Sequence, residues 1–427
     1  MDLAVVGGGA AGLAAAIFHK RTNASARVIV LDGASKLGAK ILISGGGRCN
    51  VANARVTPDD FNGGSRNFVR RVLERFPASG AVEFFRQLGV ALHEEEHGKL
   101  FPDSNRAASV LDALLNEASR LGIEVRAPWR VGGVEARGGV FHISRDQTRP
   151  SVADSTGTLA APRNAREFTA RRVVLATGGL SFPRTGSDGG GFAIARSLGH
   201  SIVPTTPALA PLVLEGDFHC PLSGLSQPVE LTIRARDVKA QRIGGALLWT
   251  HFGVSGPAPM DASRVYLRRR LENRAPALYA NFLPGEAFES AESWLSNVAS
   301  ASPTTRIRTA LSARLPARFV DAAMTRLSVP PETALAHLTR PDRRRVRNGL
   351  LGWPLSVADS RGYDYAEATA GGVALDEVDW RRLESRVCPG LHFVGEILDV
   401  DGRIGGFNFQ WAWSSAFVAG TGIPPPP

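Results

Sequence analysis

The N-terminal stretch constrains the fold of this chain more than any other segment. The apolar run Leu3–Val6 predicts a buried parallel strand, and it leads directly into a Gly-x-Gly-x-x-Gly pattern formed by Gly7, Gly9 and Gly12. In such a turn the first glycine allows a tight bend, the second lets the backbone approach a pyrophosphate, and the third allows helix and strand to pack closely. The pattern therefore predicts the start of a dinucleotide-binding βα unit.

A helix and a second strand complete this unit. An alanine-rich helix is predicted over residues 10–20, and its first turn, with Ala10 and Ala11, offers free N–H groups to phosphates. A second apolar strand over residues 27–31 ends at Asp32, about twenty residues beyond the glycines, where a carboxylate is expected to bind a ribose diol. Together these features predict an adenine dinucleotide cofactor.

Composition narrows the class of protein. A chain of 427 residues is expected to hold roughly two or three domains, and 44% hydrophobic with 21% charged residues is typical of a globular protein. Cys49, Cys220 and Cys388 are far apart and form no Cys-x-x-Cys pair, so neither a redox dithiol nor a metal site is predicted. No signal peptide or membrane-length apolar run is recognised, which predicts a cytoplasmic protein without a membrane partner.

The chain is basic, with 50 Lys and Arg against 40 Asp and Glu and a net charge of +10. Arginines form two triplets, at residues 268–270 and 343–345. Such clusters are usually solvated helix faces, and no basic stretch is interleaved with aromatic residues in the manner of a base-stacking surface. We therefore expect a small-molecule substrate rather than a nucleic acid, and the oligomeric state stays open.

A glycine- and serine-rich segment over residues 36–50 is predicted to pass along the cofactor. Its three consecutive glycines would let the backbone lie against a flat ligand, while Arg48 and Asn50 supply hydrogen bonds and a positive charge. Cys49 has no predicted partner and is interpreted as an inert small residue. The contacts predicted in this segment are Lys40, Ser44, Gly45, Gly46, Arg48, Cys49 and Asn50.

Two further apolar strands are predicted to end at the cofactor. One covers residues 172–175, and the other covers residues 391–394 and ends at Gly395 and Glu396. The Glu396 carboxylate can accept hydrogen bonds from ribityl hydroxyls, which favours FAD over NAD; its alternative is a surface acid at a strand end. The contacts predicted after the first of these strands are Ala176, Thr177 and Gly178.

The last predicted contacts lie at the start of a C-terminal apolar helix. Paired glycines would let the backbone pass beneath the flavin, and the helix N-terminus would direct N–H groups at its N1/O2 edge, stabilising the negative charge of the reduced ring. Asp401 could equally be a turn residue. These contacts are Asp401, Gly405, Gly406, Phe407 and Asn408.

The order of these segments predicts an α/β fold with a discontinuous Rossmann domain. Prolines punctuate short strands after residue 202, and residues 285–350 have helical periodicity. Earlier, short strands at residues 123–126, 131–135 and 140–144 predict a meander, and residues 147–163 predict a surface loop of open role. The predicted division is residues 1–201 and 369–427 for the Rossmann domain, 202–284 and 351–368 for a β-rich domain, and 285–350 for a helical subdomain.

Four segments, residues 38–53, 178–200, 250–257 and 390–420, resemble a family of bacterial NAD(P)/FAD-dependent oxidoreductases. These flavoproteins are mostly uncharacterised and belong to the same branch as the flavin-dependent reductase of a bile-acid pathway. The resemblance covers nearly the whole chain. It implies FAD, redox chemistry and three parts: a FAD-binding Rossmann domain of glutathione-reductase type, a β domain and a helical domain.

The expected reaction is hydride transfer through flavin N5. NAD(P)H would reduce the FAD, which would then reduce an activated C=C or similar group of a small organic substrate. His251, in the motif Thr-His-Phe-Gly-Val-Ser-Gly-Pro, is the first candidate for proton donor, and its alternative is a structural histidine. Arg48 could stabilise reduced flavin or an anionic substrate, or be a salt-bridged loop arginine.

Two alternatives stay open. The chain has a single dinucleotide fingerprint, so NAD(P)H either binds transiently or is replaced by another donor, and an oxidase that uses oxygen is possible. A FAD-containing module that binds RNA or a protein is the alternative from another class. Such a module should gather its arginines on one face, which a sequence cannot reveal.

Overall fold

The structure, a computed structural model, describes residues 1–147 and 166–425, which form two compact units. The first unit contains Met1–Thr205 and Glu367–Pro427, and the second contains Thr206–Ala366. The first unit is therefore discontinuous in sequence. The predicted loop at residues 147–163 lies, apart from Gln147, outside the described residues.

The helices of both units share regular α geometry over at least one turn. In chain order they are α1 (Ala10–Thr22), α2 (Ala39–Ile43), α3 (Arg66–Arg75), α4 (Ala78–Gln87), α5 (Ala107–Arg120), α6 (Gly190–Ser197), α7 (Pro257–Leu271), α8 (Phe288–Ala301), α9 (Ile307–Ser312), α10 (Ala317–Leu327), α11 (Arg340–Leu351) and α12 (Phe407–Gly422).

The strands are mostly short, as expected where turns follow every few residues. In chain order they are β1 (Leu3–Val6), β2 (Val28–Leu31), β3 (Ala52–Asn53), β4 (Phe61–Gly63), β5 (Leu92–Glu95), β6 (Lys99–Pro102), β7 (Glu124–Arg126), β8 (Val131–Arg137), β9 (Val140–Arg145), β10 (Glu167–Ala170), β11 (Arg172–Leu175), β12 (Ile202–Ala208), β13 (Leu212–Leu214), β14 (Ser226–Ala235), β15 (Val238–Thr250), β16 (Gly253–Ser255), β17 (Ala277–Asn281), β18 (Trp353–Leu355), β19 (Val357–Ser360), β20 (Ala368–Val373), β21 (Val378–Asp379), β22 (Glu384–Ser385), β23 (Leu391–Phe393) and β24 (Val400–Gly402).

The main sheet of the first unit has the strand order β21-β22-β23-β11-β1-β2-β7. Strand β1 lies between two parallel neighbours, with Val5 opposite Val174 of β11 and Val30 of β2. Every residue of β1 and β2 is buried, which explains why both read as continuous apolar runs. The predicted first strand is confirmed, and the predicted helix after it ends at Thr22 instead of residue 20.

The C-terminal segment completes this unit. Strand β23 pairs in parallel with β11, with Val174 opposite His392. Helix α12 packs closely on α1, because a side chain at Gly420 would lie 2.7 Å from the Ala15 carbonyl oxygen. The discontinuous α/β Rossmann architecture predicted from the sequence is therefore present.

One predicted local arrangement is wrong. The strand expected at residues 123–126 does not join the meander: β7 pairs in parallel with β2, with Val125 opposite Val30. It follows helix α5, and a strand that follows a crossover helix returns parallel to its neighbour. Strands β8, β9 and β10 form the separate antiparallel sheet.

The second unit is built on a seven-stranded sheet with the order β18-β17-β14-β15-β16-β13-β19. Its centre is the long hairpin of β14 and β15, in which Leu231 lies opposite Ile243. Helices α8 to α11 confirm the predicted helical periodicity, and they share one apolar core with the sheet. Trp249, Phe282 and Phe319 are buried in that core.

A helix that spans a membrane needs roughly twenty consecutive, mostly apolar residues. Within residues 1–147 and 166–425, no helix combines the length and apolar character needed to cross a membrane.

Candidate cofactor site

Helix α1 begins immediately after β1, and the three glycines of this turn have different surroundings. A side chain at Gly7 would overlap the carbonyl oxygen of Ala176, and one at Gly12 would overlap the carbonyl oxygen of Gly7. At Gly9, in contrast, a Cβ atom would meet no atom within 4 Å among the described residues. Packing of the chain therefore requires Gly7 and Gly12, whereas Gly9 adjoins space that a ligand can occupy.

The first turn of α1 offers backbone donors to that space. In the first backbone hydrogen bond of the helix, the N–H of Leu13 donates to the carbonyl of Gly9 at 3.0 Å. The amides of Ala10, Ala11 and Gly12 consequently have no acceptor within the described helix, and no side chain caps it there. An uncapped helix N-terminus beside open space suits a pyrophosphate.

Asp32 follows β2 and is fixed by the backbone. Its Oδ2 accepts the N–H of Gly8 at 2.6 Å, and its Oδ1 accepts the N–H of Ala34 at 2.7 Å. Burial raises the pKa of Asp32, while these hydrogen bonds oppose the rise. Each oxygen keeps a second lone pair, which allows the carboxylate to accept a ribose hydroxyl as well.

The segment predicted to line the cofactor folds as the short helix α2 and a left-handed glycine turn. Gly45 and Gly46 have φ of 55° and 68°, a conformation that suits glycine. The hydroxyl of Ser44 donates to the carbonyl of Ile41 at 2.8 Å. A Cβ at Gly46 would meet no described atom within 4 Å, so this turn also faces open space.

Arg48 has an ion-pair partner within this unit. Its Nη1 lies 2.6 Å from Oε1 of Glu95, and its guanidinium lies 4.0 Å from the centre of the Phe101 ring. The arrangement matches the salt-bridged alternative, and the catalytic role stays a prediction.

Cys49 and Asn50 follow in buried or half-buried positions. Burial raises the pKa of Cys49 to about 12, although a hydrogen bond with Ser44 lowers it in part. The thiol therefore stays protonated at neutral pH. In the orientation that satisfies its amide, Asn50 donates to the Ala52 carbonyl at 2.9 Å and accepts the N–H of Gly406 at 3.0 Å. Asn50 therefore joins this segment to the start of α12.

Glu396 lies in the most polar cluster of the site. Nζ of Lys40 donates to Oε2 of Glu396 at 2.7 Å and to Oγ of Ser181 at 2.8 Å, and Ser181 donates to Oε1 of Glu396 at 2.6 Å. Only 25% of the Lys40 side chain and 19% of the Glu396 side chain are exposed. Burial alone would raise the pKa of Glu396, but Lys40 and the hydrogen bonds hold it below its ordinary value.

Two members of this cluster were not predicted. Thr369 of β20 accepts the N–H groups of Leu180 and Ser181 at 2.8 and 3.1 Å and also bonds to Glu396. Ser181 falls inside a segment that carried the family resemblance, so that resemblance was the available signal. Thr369 lies far along the chain and had no local signal.

The residues after β11 pack tightly beside Glu396. The N–H of Ala176 donates to the carbonyl of Val6 at 2.8 Å, extending the parallel ladder. Gly178 has a φ of 70°, and a Cβ there would lie 2.5 Å from Oγ of Ser187. Thr177 is half-buried beside Gly191.

The start of α12 is arranged like the start of α1. Gly405 and Gly406 have φ of 126° and 94°, and no side chain caps this described helix. The Asn408 side chain instead bonds to the N–H and the carbonyl of Gly402, at 2.8 and 2.9 Å. Asp401 is buried in β24, whose pairing with β4 places it opposite Asn62.

The predicted contacts therefore gather in the first unit. Parallel strands β1, β2, β11 and β23 all end at one edge of the sheet, where ligands of such sheets bind. The predicted cofactor residues follow the ends of these strands, lie between the start of α2 and Asn50, or lie at the start of α12; Asp401 lies in β24. Open space at Gly9 and Gly46, two uncapped helix N-termini and the Glu396 cluster fit FAD.

His251 belongs to the second unit, in the turn between β15 and β16. Its side chain is exposed, and its ring centre lies 5.1 Å from that of Phe252. The carbonyl of His251 accepts the thiol of Cys220 at 3.6 Å. Its ring nitrogens have no hydrogen-bond partner within the described part of the chain, so neither a catalytic nor a structural role is fixed.

Fold and site together define a FAD-dependent oxidoreductase. The chain belongs to the family described as HI0933-like protein Rossmann domain, which matches residues 1–422.

Relatives in this family match almost end to end. A ribosomal RNA dihydrouridine synthase of Escherichia coli (strain K12) is 31% identical over 424 residues, covering 98% of this chain and 96% of that protein. A protein of the same name from Haemophilus influenzae is 31% identical and covers 98% and 97%. A 3-dehydro-bile acid delta(4,6)-reductase of Clostridium scindens is 30% identical and covers 98% of both chains.

Proposed function

We propose that this enzyme uses FAD to reduce a C=C bond conjugated to a carbonyl group, and that its acceptor is the uracil ring in RNA. The observation that carries the proposal is the end-to-end match to relatives whose names describe hydrogenation of a ring C=C bond. Two of these relatives act on ribosomal RNA by name, and the net charge of +10 suits a polyanionic substrate. The sequence alone favoured a small molecule, and this acceptor replaces that preference.

The chemistry divides between cofactor and chain. When bound, FAD supplies the hydride that reaches one carbon of the C=C bond, and NAD(P)H supplies the electrons. The π bond breaks, one new C–H bond takes the hydride, and the other takes a proton from an acid or from water. Lys40 and Ser181 hold the Glu396 carboxylate, which would accept ribityl hydroxyls, while the free amides of α1 and α12 would bind negative charge of the cofactor.

His251 remains the proposed proton donor. Its imidazole is exposed and has no hydrogen-bonded partner among the described residues, so it is available to a substrate. His251→Asn should lower kcat by about 10²-fold or more, a typical loss for a general acid, while FAD reduction by NAD(P)H stays unchanged. His337→Asn, at another exposed histidine of the second unit, is the matched control. Equal kcat for the two variants would contradict His251 as the proton donor.

The acceptor is tested with three molecules under anaerobic conditions. The purified enzyme, FAD and NADH or NADPH are incubated with an unmodified ribosomal RNA transcript, with free uridine and with 4-androstene-3,17-dione. Mass spectrometry then detects the gain of two hydrogens. We expect dihydrouridine in the RNA; reduction of the steroid with unmodified RNA would transfer the proposal to the small-molecule acceptor.

Oxygen consumption tests the alternative that the enzyme is an oxidase. The chain carries one dinucleotide fingerprint, so NAD(P)H is proposed to bind transiently. Oxygen consumption with NAD(P)H and no added acceptor should be slow compared with turnover on RNA. Fast peroxide formation that RNA does not suppress would favour an oxidase.

A further inference from the structure

The two arginine triplets have different surroundings in the structure. In the triplet of α7, Arg269 donates to the carbonyls of Ile233 and Lys239, both at 3.1 Å, and Arg270 donates to the carbonyl of Ala358 at 3.1 Å. These guanidinium groups bind the backbone of neighbouring strands. The first triplet is therefore part of the framework of the second unit.

The second triplet lies on α11, which buries one side and exposes the other. Val346 and Leu350 face the core. On the flank toward α8, Arg343 and Arg347 share the carboxylate of Glu292, at 3.7 and 3.1 Å. These two arginines are therefore neutralised within the unit.

A separate stripe on α11 is not neutralised. Arg340 and Arg344 are one turn apart and exposed, and within the described chain no carboxylate lies within salt-bridge distance of either guanidinium. They line a groove of about 620 Å³ between α11 and the end of α10. The groove is lined by Leu327, Arg340, Pro341, Arg344, Arg345 and Asn348.

Among the described residues, Asp342 supplies the negative charge that pairs with a guanidinium of this groove. Arg345 is paired with Asp342 in the first turn of α11, and the N–H of Asp342 donates to the capping hydroxyl of Thr339 at 3.2 Å. The other lining residues are apolar or amide side chains. A groove with two unpaired guanidinium groups and an amide favours an extended polyanion, because guanidinium binds phosphate oxygens in a fixed fork.

We propose that the α11 groove, defined by these six residues, binds the phosphate backbone of the RNA substrate. This inference rests on the proposed function, because RNA is the polyanion that the enzyme would need to hold. Arg340 and Arg344 would each neutralise a phosphate, and Asn348, one turn further along, would donate to the backbone. The groove thus contributes affinity without reading sequence.

The test uses the full-length FAD-loaded enzyme and a labelled single-stranded RNA over a range of salt concentrations. Arg340→Gln/Arg344→Gln should raise Kd about tenfold or more at low salt. It should also reduce the slope of log K against log salt by about 1.4, since each lost single-strand phosphate contact removes about 0.7. The FAD content, the unfolding midpoint and the rate of FAD reduction by NAD(P)H should match those of the wild type.

The matched control removes the same charge from the same helix. Arg343→Gln/Arg347→Gln also deletes two guanidinium groups, but both are already paired with Glu292, so Kd should rise less than threefold. Equal losses for the two double variants would overturn a specific groove, as would an unchanged Kd for Arg340→Gln/Arg344→Gln. Loss of binding to phosphatidylglycerol vesicles with unchanged RNA binding would assign the groove to a membrane surface and overturn the proposal.

The outcomes separate this inference from the proposed function. If Arg340→Gln/Arg344→Gln binds RNA as tightly as the wild type, and the wild type forms dihydrouridine, only the role of the groove is contradicted. A wild-type enzyme that neither binds RNA nor modifies it contradicts both.

Discussion

At the scale of single residues, Lys40 and Glu396 form a partly buried ion pair in the candidate cofactor site. Both side chains are less than a third exposed, and Ser181 bridges them. A carboxylate beside the pyrophosphate and ribityl chain of FAD would be repelled without a counter-charge. Lys40 therefore lets Glu396 stay ionised where burial would otherwise favour its neutral form.

Lys40→Met is expected to leave Glu396 buried without its counter-charge. The free energy of unfolding should fall by about 2 kcal/mol, less than for a fully buried pair because both groups retain some exposure. Kd for FAD, followed by flavin fluorescence, should rise about tenfold or more. The double variant Lys40→Met/Glu396→Gln should recover much of the stability, and a double variant no more stable than Lys40→Met would contradict the charge argument.

Four residues form this polar cluster, and the sequence predicts two of them. Lys40 and Glu396 each adjoin a glycine-rich pattern that marks a ligand. Ser181, which also follows a glycine pair, and Thr369 were not predicted, because their roles depend on β20 lying beside the residues that follow β11. Such proximity arises from topology, which single-residue patterns do not encode.

At the scale of elements, the glycines of the β1–α1 turn differ in what requires them: chain packing requires Gly12 but not Gly9. Gly12 is required because a Cβ there would overlap the Gly7 carbonyl oxygen, whereas at Gly9 no atom of the described residues would exclude a methyl group. Gly9 also has a φ of −84°, which any residue adopts without strain. The described chain does not require glycine at this position, so we expect a bound ligand to account for it.

Gly9→Ala and Gly12→Ala form a matched pair of variants. Gly9→Ala should lower the stability of the FAD-free protein by less than about 1 kcal/mol, the cost of alanine at a helix N-cap, and yet weaken FAD binding strongly. Gly12→Ala should lower stability by about 2 kcal/mol or more with or without FAD, because the new methyl overlaps backbone. Thermal unfolding and flavin fluorescence measure both quantities. Normal FAD affinity in Gly9→Ala would contradict a cofactor at this turn.

The predicted elements are accurate where hydrophobic periodicity is strong and local. Strands β1, β2 and β11 and helix α1 are found within a few residues of their predicted bounds. The error at residues 123–126 concerns partner choice, since a short apolar strand does not specify whether it joins a parallel sheet or a meander. That choice follows from the crossover through α5, a property of the whole sheet.

At the scale of the whole molecule, buried histidines make stability depend on pH. Burial lowers the pKa of His392 to about 4, although a hydrogen bond to the Arg382 carbonyl at 3.0 Å opposes the shift. Burial also lowers the pKa of His19 and of His200, although the carboxylate of Glu377 raises the pKa of His200 in part. Between the lowered pKa of each folded histidine and its ordinary pKa of 6.5, the histidine is neutral in the folded chain but protonated in the unfolded chain.

Stability should therefore fall as the pH drops from about 6.5 toward about 4. The unfolded chain binds more protons than the folded chain in that window, so the free energy of unfolding rises with pH. His392 contributes a slope that approaches about 1.4 kcal/mol per pH unit. Urea unfolding at several pH values measures it.

His392→Asn provides the control for this pH dependence. Its amide can keep the hydrogen bond to the Arg382 carbonyl, so it should unfold more easily at pH 7 through lost packing but show a shallower pH slope. A slope equal to that of the wild type would show that His392 does not titrate in this window.

The two units also differ in how far the sequence predicts their roles. The first unit contains a fingerprint with a known physical basis, so its cofactor could be predicted. The second unit contains arginine clusters that look alike in sequence, and only the partners of each guanidinium distinguish α7 from α11. Substrate identity depends on such surfaces, which explains why FAD was predictable and the acceptor was not.

We propose that FAD bound in the first unit carries electrons to an RNA uracil, and an anaerobic visible spectrum follows this transfer. The purified enzyme should show an oxidised flavin spectrum that is released as FAD on denaturation. NADH or NADPH should bleach it, and ribosomal RNA lacking dihydrouridine should restore it as the RNA is reduced. A flavin that bleaches but is not reoxidised by RNA would contradict the proposed acceptor, and a colourless protein that cannot be loaded with FAD would contradict both the cofactor and the proposed reaction.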